Sequence, residues 1–424
     1  MEIIRYPEKS AWSELLVRPV LDSREVDSVV MPILQDVRIR GDEALLEYTK
    51  KFDKADLQRL ALTEDEFIAA DKLVDSELKE AIAISARNIE AFHRAQKITP
   101  ERIVTTAGVV CWQKAVAIQK VGLYIPGGTA PLFSTVLMLA VPARIAGCSE
   151  IVLCSPPDSK GNLHPALIYA ARITGVTRVF KVGGAQAVAA MAYGTATIPR
   201  VYKIFGPGNQ YVTAAKQLVS RKDVAIDMPA GPSELAVIAD DSANPAFVAS
   251  DLLSQAEHGP DSQVLLITTS VSLAENTIQE LKRQLQEIAR KEIAEKSMMH
   301  SRIIVLKSMT EAIEMVNDYA PEHLIIASDD AAAIADRIIN AGSVFIGHYT
   351  PESAGDYASG TNHTLPTSGY ARAYNGVNLD DFVKKITFQQ ITHEGLKIIG
   401  PAVMKMAETE TLTAHKNAVA IRLK

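Results

Sequence analysis

An acid and an imidazole stand side by side in Pro321-Glu322-His323, directly before an apolar run at 324–327. Imidazole titrates near neutral pH, so His323 could take a proton from a substrate hydroxyl. A carboxylate beside it, Glu322, could deprotonate an attacking water. The same two residues in a solvated turn would do neither, and their adjacency alone leaves both readings open. A second group is Gln255 and His258, three apart at the end of a helix that starts after Asn244-Pro245. That spacing puts both on one face, with Gly259 suited to the position after the last turn and Pro260 as a stop. A histidine there could equally cap carbonyls and answer the helix dipole. Asp356 and His363 lie in a glycine-containing stretch, and Glu410 and His415 lie near the C-terminus. Five residues apart, the last two share a face only if the helix breaks at 411–413, with Thr413 capping a new one. A glutamine, an aspartate and two histidines form a mixed nitrogen and oxygen set that zinc accepts.

Glycines follow three apolar runs: Gly127-Gly128, Gly183-Gly184, and Gly206-Pro207-Gly208 with Asn209 behind it. Beyond the carboxyl ends of parallel strands, such glycines let the backbone approach a phosphate, and a following helix offers free N–H groups. None is a GxGxxG. Each alone is a common tight turn, while three in succession point to a nucleotide site of unusual form. The cysteines, Cys111, Cys148 and Cys154, have no flanking base and begin no helix, so thiol catalysis is not expected.

Alternating strands and helices must position these groups. Strand-like runs at 122–125, 151–154, 179–182 and 201–205 alternate with helical segments at 132–147, 164–174 and 185–193. The rhythm resumes with strands at 235–239, 264–268, 303–306, 324–327 and 344–346, separated by helices near 245–257, 272–295, 309–319 and 330–341. This alternation implies two parallel-sheet α/β modules. Residues 1–95 read as helical: Thr63 to Glu66 form a capping box, and the helix beyond presents Ile82, Ile84, Ile89 and Phe92 as its apolar side. Short β-branched runs around Gly108 suggest a hairpin over 103–118. Periodicity stops between 347 and 370, a loop length that compact domains keep for function. After Leu379 the chain reads as helical, with Pro401 at a first helical position.

Composition narrows the class. Aromatics are only 6% against 47% hydrophobic residues, which suits aliphatic helix-on-sheet cores. A net charge of −6 gives no basic face for nucleic acid. Three cysteines build no disulfide framework, and the N-terminus has no signal-peptide pattern, so a cytoplasmic setting is expected. The longest apolar stretch, 136–145, contains Pro142 and Arg144 and is too short to span a bilayer, so no membrane role follows.

Eight segments occur in one order: VGLYIPGGTAPLFSTVLM, KVGGAQAVAAMAYGT, KIFGPGNQYVTAAK, DMPAGPSE, SQAEHGPDSQ, APEHL, ESAGDYASGTNHTLPT and LTAHKNAV. Together they resemble the histidinol dehydrogenase family across the whole chain. The resemblance implies an NAD-dependent, four-electron oxidation of L-histidinol to L-histidine through the aldehyde. It implies one zinc per subunit held by Gln255, His258, Asp356 and His415. It further implies NAD contacts from Tyr124, Gln186 and Asn209, and substrate contacts from Ser233, His323, His363 and Glu410 together with the zinc ligands. Glu322 would activate water and His323 would be the general base. The family's modules are incomplete Rossmann-like folds, and its members are homodimers with shared sites. On this basis 1–22 is an N-terminal helical segment, 23–120 with 234–370 a first α/β module, and 121–233 a second, NAD-binding module. Residues 371–424 form a helical region contributing to the active site. A relative acting on another small alcohol, a zinc hydrolase working through Glu322, and a noncatalytic metal scaffold are the competing readings.

Overall fold

The structure is a computed structural model that describes residues 1–19, 23–127, 131–228 and 231–424. Its strands, in chain order, are β1 (Glu2–Arg5), β2 (Arg102–Thr106), β3 (Val109–Ala117), β4 (Lys120–Tyr124), β5 (Glu150–Ser155), β6 (Arg178–Lys181) and β7 (Lys203–Phe205). There follow β8 (Ala225–Ile226), β9 (Glu234–Ala239), β10 (Gln263–Thr268), β11 (Arg302–Val305), β12 (His323–Ala327), β13 (Ser343–Ile346) and β14 (Val383–Ile391).

Two wholly parallel sheets result: β6-β5-β4-β7-β8, and β1-β11-β10-β9-β12-β13. The α/β class and the two parallel modules therefore stand as expected. Strands β9, β10 and β12 are buried along their whole lengths, as continuous apolar runs in helix-covered parallel sheets should be. Helix Phe133–Ala146, apolar all round, is buried on nearly every side, the outcome such a helix requires outside a membrane. Among the described residues no helix is long and apolar enough to cross a membrane.

Several elements differ from the sequence reading. Residues 1–22 were expected to be helical, but Glu2–Arg5 is an edge strand paired with β11. The helices of 23–94 pack their apolar faces on the five-stranded sheet, while Ser85 and Asn88 also donate to the carbonyls of Tyr357 and Ala358 in 234–370. Val30, Leu34 and Val37 share a core with Val182, Val188 and Val212, and Ile82 and Ile89 share one with Leu123 and Leu153. Thr63 does cap helix Glu64–Leu73 through a capping box, but a second helix, Ser76–Arg94, carries the apolar side. There Ile82 and Ile89 are buried while Ile84 and Phe92 are exposed. The expected helix 272–295 breaks into Val271–Gln284 and Lys291–Met299, and 330–341 shortens to Ala331–Ala335.

The hairpin forms as β2 and β3, bulged between Val104 and Thr106. Where a helix was expected after Leu379, β14 adds to it as a third antiparallel strand. Its β-branched and aromatic residues Val383, Ile386, Thr387, Phe388 and Ile391 favour the pleated state. Pro401 lies inside helix His393–Thr409, well past its first turn.

Candidate active site

The catalytic candidates sit where the two parallel sheets face each other. His323 opens β12 and Glu234 opens the adjacent β9, so this group lies at the amino ends of the six-stranded sheet. Opposite are the loops leaving the carboxyl ends of the five-stranded sheet. Gly206, Pro207 and Gly208, just after β7, line a cavity of about 40 Å³ together with Ser233, Glu322 and His363. That volume holds one or a few water molecules.

Glu322 and His323 are both buried, which removes the solvated-turn reading. Glu322 Oε2 accepts a hydrogen bond from the Glu234 backbone N–H at 2.8 Å. His323 Nδ1 is 3.3 Å from the Glu234 carbonyl oxygen, so this nitrogen carries the hydrogen. Its Nε2 has no hydrogen-bond partner and lies 3.7 Å from Asp356 Oδ1, which is also unpartnered. Burial opposes the imidazolium charge, but Glu322, Glu352 and Asp356 outweigh it and raise the His323 pKa above its usual value; a cation held by that cluster would take up their charge and leave the imidazole free to act as a base.

The donors around them come from two short segments. Helix Pro245–Ala256 delivers Gln255, and His258 follows just beyond its end, the His258 N–H donating to the Gln255 carbonyl at 3.2 Å. Gly259 does not take the left-handed conformation expected of it, because the helix closes on Glu257 in a right-handed geometry. The stretch 347–370 contains one short helix, Glu352–Tyr357. Glu352 and Asp356, four apart, share its inward face. Side-chain donor atoms of His258, Glu352 and Asp356 all lie within 4.8 Å of one another.

Gln255 is fully buried, and the amide orientation that satisfies its neighbours turns its NH₂ to Glu352, 3.2 Å from Oε2. This leaves the amide oxygen for a cation. Crowding by the protein lowers the pKa of His258, with His323 and His363 adding to it, although the residue is exposed in the single chain. A neutral imidazole is the form that binds metal. Burial works against the charge on Asp356, but the three nearby imidazoles bring its pKa below normal. A buried, unpartnered carboxylate oxygen beside a neutral imidazole and an amide oxygen fits a zinc ion.

His363 is fixed at both nitrogens: Nδ1 is 3.0 Å from the Asp356 carbonyl oxygen, and Nε2 is 3.0 Å from Thr135 Oγ1. Ser233 lines the small cavity with it. Tyr124, Gln186 and Asn209 line one larger cleft of about 1310 Å³ beyond β4, β5 and β6. The Tyr124 hydroxyl accepts from the Gly184 N–H at 3.1 Å, and burial pushes its pKa up to about 12. Asn209 caps helix Gln210–Ser220 with its side-chain oxygen, which leaves its NH₂ toward the cleft.

Gly127 and Gly184 line that cleft, and the glycines of these turns also answer packing demands. A Cβ on Gly127 or on Gly183 would come within 2.3 Å of the Pro156 ring, so both are required by packing. Gly184 has φ +65, and Gly206 has φ +121 with the Tyr124 carbonyl pressed against it. Gly128 lies outside the described residues. The Gly206 loop is tied down by Asp227, which accepts from its N–H at 2.8 Å, and by Lys216, which donates to its carbonyl at 2.8 Å. Burial raises the thiol pKa of Cys148 to about 12 and raises that of Cys154 as well. Neither is an activated nucleophile.

Glu410 and His415 do not join this cluster. Both are exposed on the C-terminal helices of the chain. The expected break is present, with Thr411 at φ +61, but Thr413 is the first residue of helix Thr413–Ala420 and the cap position is Leu412. Sequence reading missed Glu352, whose signal was its i,i+4 spacing to Asp356 after a proline. It also missed Glu234 and Arg18, described below.

A parallel α/β scaffold with a buried imidazole, a water-sized cavity, a metal-competent donor set and a nucleotide-sized cleft has the features that a metal-using oxidoreductase needs. The family model for histidinol dehydrogenase matches residues 16–423. Histidinol dehydrogenase from Bacteroides thetaiotaomicron is 61% identical over 423 residues, covering 100% of this chain and 99% of that protein. Histidinol dehydrogenase from Bacteroides fragilis is 62% identical over the same length and coverage. The crystal structure of histidinol dehydrogenase from Elizabethkingia anophelis superposes with a TM-score of 0.98 at 54% identity, covering 100% of this chain and 98% of that one. The chain belongs to the histidinol dehydrogenase family. It is accordingly an NAD-dependent oxidoreductase of histidine biosynthesis that uses zinc.

Proposed function

We propose that this chain oxidises L-histidinol to L-histidine through the enclosed aldehyde, with both oxidations in one site. The observation carrying this reading is the buried His323, whose free Nε2 faces the His258, Glu352 and Asp356 cluster while Glu322 faces the small cavity. In the first oxidation His323 Nε2 takes the alcohol proton. Glu322 then takes a proton from the water that adds to the aldehyde, and the 40 Å³ cavity beside it suits that water. His323 returns its proton to the aldehyde oxygen as the water adds, and is then free to take the hydroxyl proton of the hydrate in the second oxidation. NAD, when bound against Tyr124, Gln186 and Asn209, supplies the hydride acceptor. Zinc, when held by Gln255, His258, Asp356 and a second chain's His415, orients the substrate's nitrogen groups and neutralises buried carboxylates. Ser233, His363 and a second chain's Glu410 complete the substrate pocket.

The functional unit in this reading is a homodimer. Helices His393–Thr409 and Thr413–Ala420 bury only Gly395, Gly400 and Ala407, and expose Ile398, Val403, Met406 and Leu412. An apolar surface of this kind calls for a partner, and a second copy would bring Glu410 and His415 to this cleft. Three free cysteines are in keeping with the cytoplasm. The test is to supply L-histidinol and excess NAD to the zinc-loaded protein and count products. The expected yield is about two NADH per histidinol, one for each hydride step. One NADH with free aldehyde released would overturn the reading.

A further inference from the structure

One residue touches both members of the catalytic pair without facing the cleft. The Glu234 N–H donates to Glu322 Oε2 at 2.8 Å, and its carbonyl receives His323 Nδ1 at 3.3 Å. Its side chain is held just as firmly. Arg18 Nε and Nη2 donate to Glu234 Oε1 and Oε2 at 2.6 and 2.9 Å, and the Ser368 N–H donates to Oε1 at 2.6 Å. Arg18 is itself seated, with Nη2 donating to the Tyr319 carbonyl at 2.7 Å and its guanidinium 3.9 Å from the centre of the Tyr319 ring. The Tyr319 hydroxyl donates to Gln263 at 2.8 Å, and Gln263 donates to the carbonyls of Val17 and His300.

We infer that Arg18 and Glu234 are positioning residues for the reaction, setting the orientation of Glu322 and the tautomer of His323. Neither touches the reacting atoms. A planar guanidinium fork holding a carboxylate in two parallel bonds fixes that carboxylate in direction as well as place. With the Glu234 side chain so fixed, the backbone on either side of its Cα is held as well, and the N–H and the C=O of this residue are both committed to the catalytic pair. Holding Nδ1 as the donor leaves Nε2 as the only basic nitrogen of His323, on the side facing Asp356. The ion pair is largely buried, with the Glu234 and Arg18 side chains 3% and 19% exposed. Such pairs add little stability over a well-packed apolar replacement, so a stabilising role alone accounts poorly for one here. The same carboxylate anchors Ser368, five residues past His363, and so links the loop carrying that histidine to the pair. Arg18 comes from the segment that precedes the first long helix, so the N-terminal strand and its loop serve catalysis as well as the sheet edge.

The inference rests on His323 being the base, and the experiment separates the two ideas. Zinc-loaded R18K, E234Q, the apolar pair R18M/E234M and H323N are compared with the unaltered enzyme. The measurements are kcat with histidinol and with histidinal, KM for histidinol and NAD, zinc content and thermal midpoint. R18K and E234Q should lower kcat about 10–100-fold, the range for partners that orient a site from behind. KM for NAD and zinc content should stay unchanged. R18M/E234M removes both buried charges together, so it should fold, and it should keep the kcat loss. A folded, zinc-loaded R18M/E234M with normal kcat would overturn the inference and reduce the pair to structure. So would losses confined to KM for NAD or to zinc content. Full activity in H323N would overturn the base assignment and this inference with it. A normal kcat in the Arg18 and Glu234 variants beside a defective H323N would overturn this inference alone.

Discussion

Asp356 and Glu352 occupy successive turns of one short helix but meet opposite surroundings. Three imidazoles draw the Asp356 pKa down, whereas burial pushes Glu352 up to about 8. The lower-pKa carboxylate suits a metal ligand, whereas Glu352, in its ionised form, accepts a hydrogen bond from the Gln255 amide. Removing that acceptor in Glu352→Ala should free the Gln255 amide to turn and weaken zinc binding about 10–100-fold. Glu352→Gln keeps an acceptor oxygen and should lose much less; competition with a chelator followed by metal analysis measures both. The neighbouring catalytic pair divides differently. His323→Asn should slow turnover about 10²–10⁴-fold with either histidinol or histidinal, the usual range for a lost general base. Glu322→Gln should impair histidinal oxidation more than the first hydride step, and should leave aldehyde that semicarbazide can trap. Near-normal rates in both variants would remove the pair from the mechanism.

At the scale of elements, the loop between β7 and helix Gln210–Ser220 depends on one buried ion pair. Lys216 and Asp227 are 2.5 Å apart, with side chains 5% and 1% exposed, and each also holds the Gly206 peptide. Lys216→Met leaves Asp227 buried and unpaired, so it should cost about 3–5 kcal/mol of stability. Urea unfolding of the variant measures this, and a loss below about 1 kcal/mol would show that the loop is held elsewhere.

Much of this scaffold was legible because local signals and tertiary packing agree. Helix Met309–Tyr319 and strands β4 to β7 and β9 to β13 fall within a residue or two of the runs that marked them, since buried parallel strands must be continuous apolar runs, whereas the two-residue β8 had no run to mark it. Strand β14 was missed because it is antiparallel and almost wholly exposed in this chain, so no burial pattern marked it. Helix Ser23–Arg40 was assigned to the wrong sheet because amphipathic periodicity shows that a helix packs, but not against what. At the site, Glu322 with His323 and Gln255 with His258 could be read from adjacency and helical spacing. The Arg18 to Glu234 link spans 216 residues, and no sequence period encodes it.

At the scale of the whole molecule, the proposed dimer turns on the C-terminal arm, which carries Glu410 and His415. The arm holds to its own chain mainly at the hairpin, where the Thr392 N–H donates to the Gly108 carbonyl at 2.9 Å and Gly395 lies against Gly108. Beyond that anchor its apolar side chains face outward, as do Ile386, Ile391, Ile103 and Val104 on the three-stranded sheet beneath it. Glu410 and His415 lie past the anchor, exposed and apart from the cleft of their own chain. If they serve the cleft of a second copy, two inactive variants should repair each other. His258→Asn spoils the cleft of its own chain, whereas His415→Asn spoils the cleft its arm enters. In a mixed dimer one cleft then carries both lesions and the other carries none. Unfolding the two variants together and refolding them in equal amounts should make about half the dimers mixed, each with one sound site, so activity should return to about a quarter of normal. Each variant refolded alone should stay inactive, and normal zinc should be present in about a quarter of the sites. Were the arm to complete its own chain's cleft, every site would keep one lesion and mixing would restore nothing. No recovery from a mixture shown by mass spectrometry to contain mixed dimers would put Glu410 and His415 back in the cleft of their own chain.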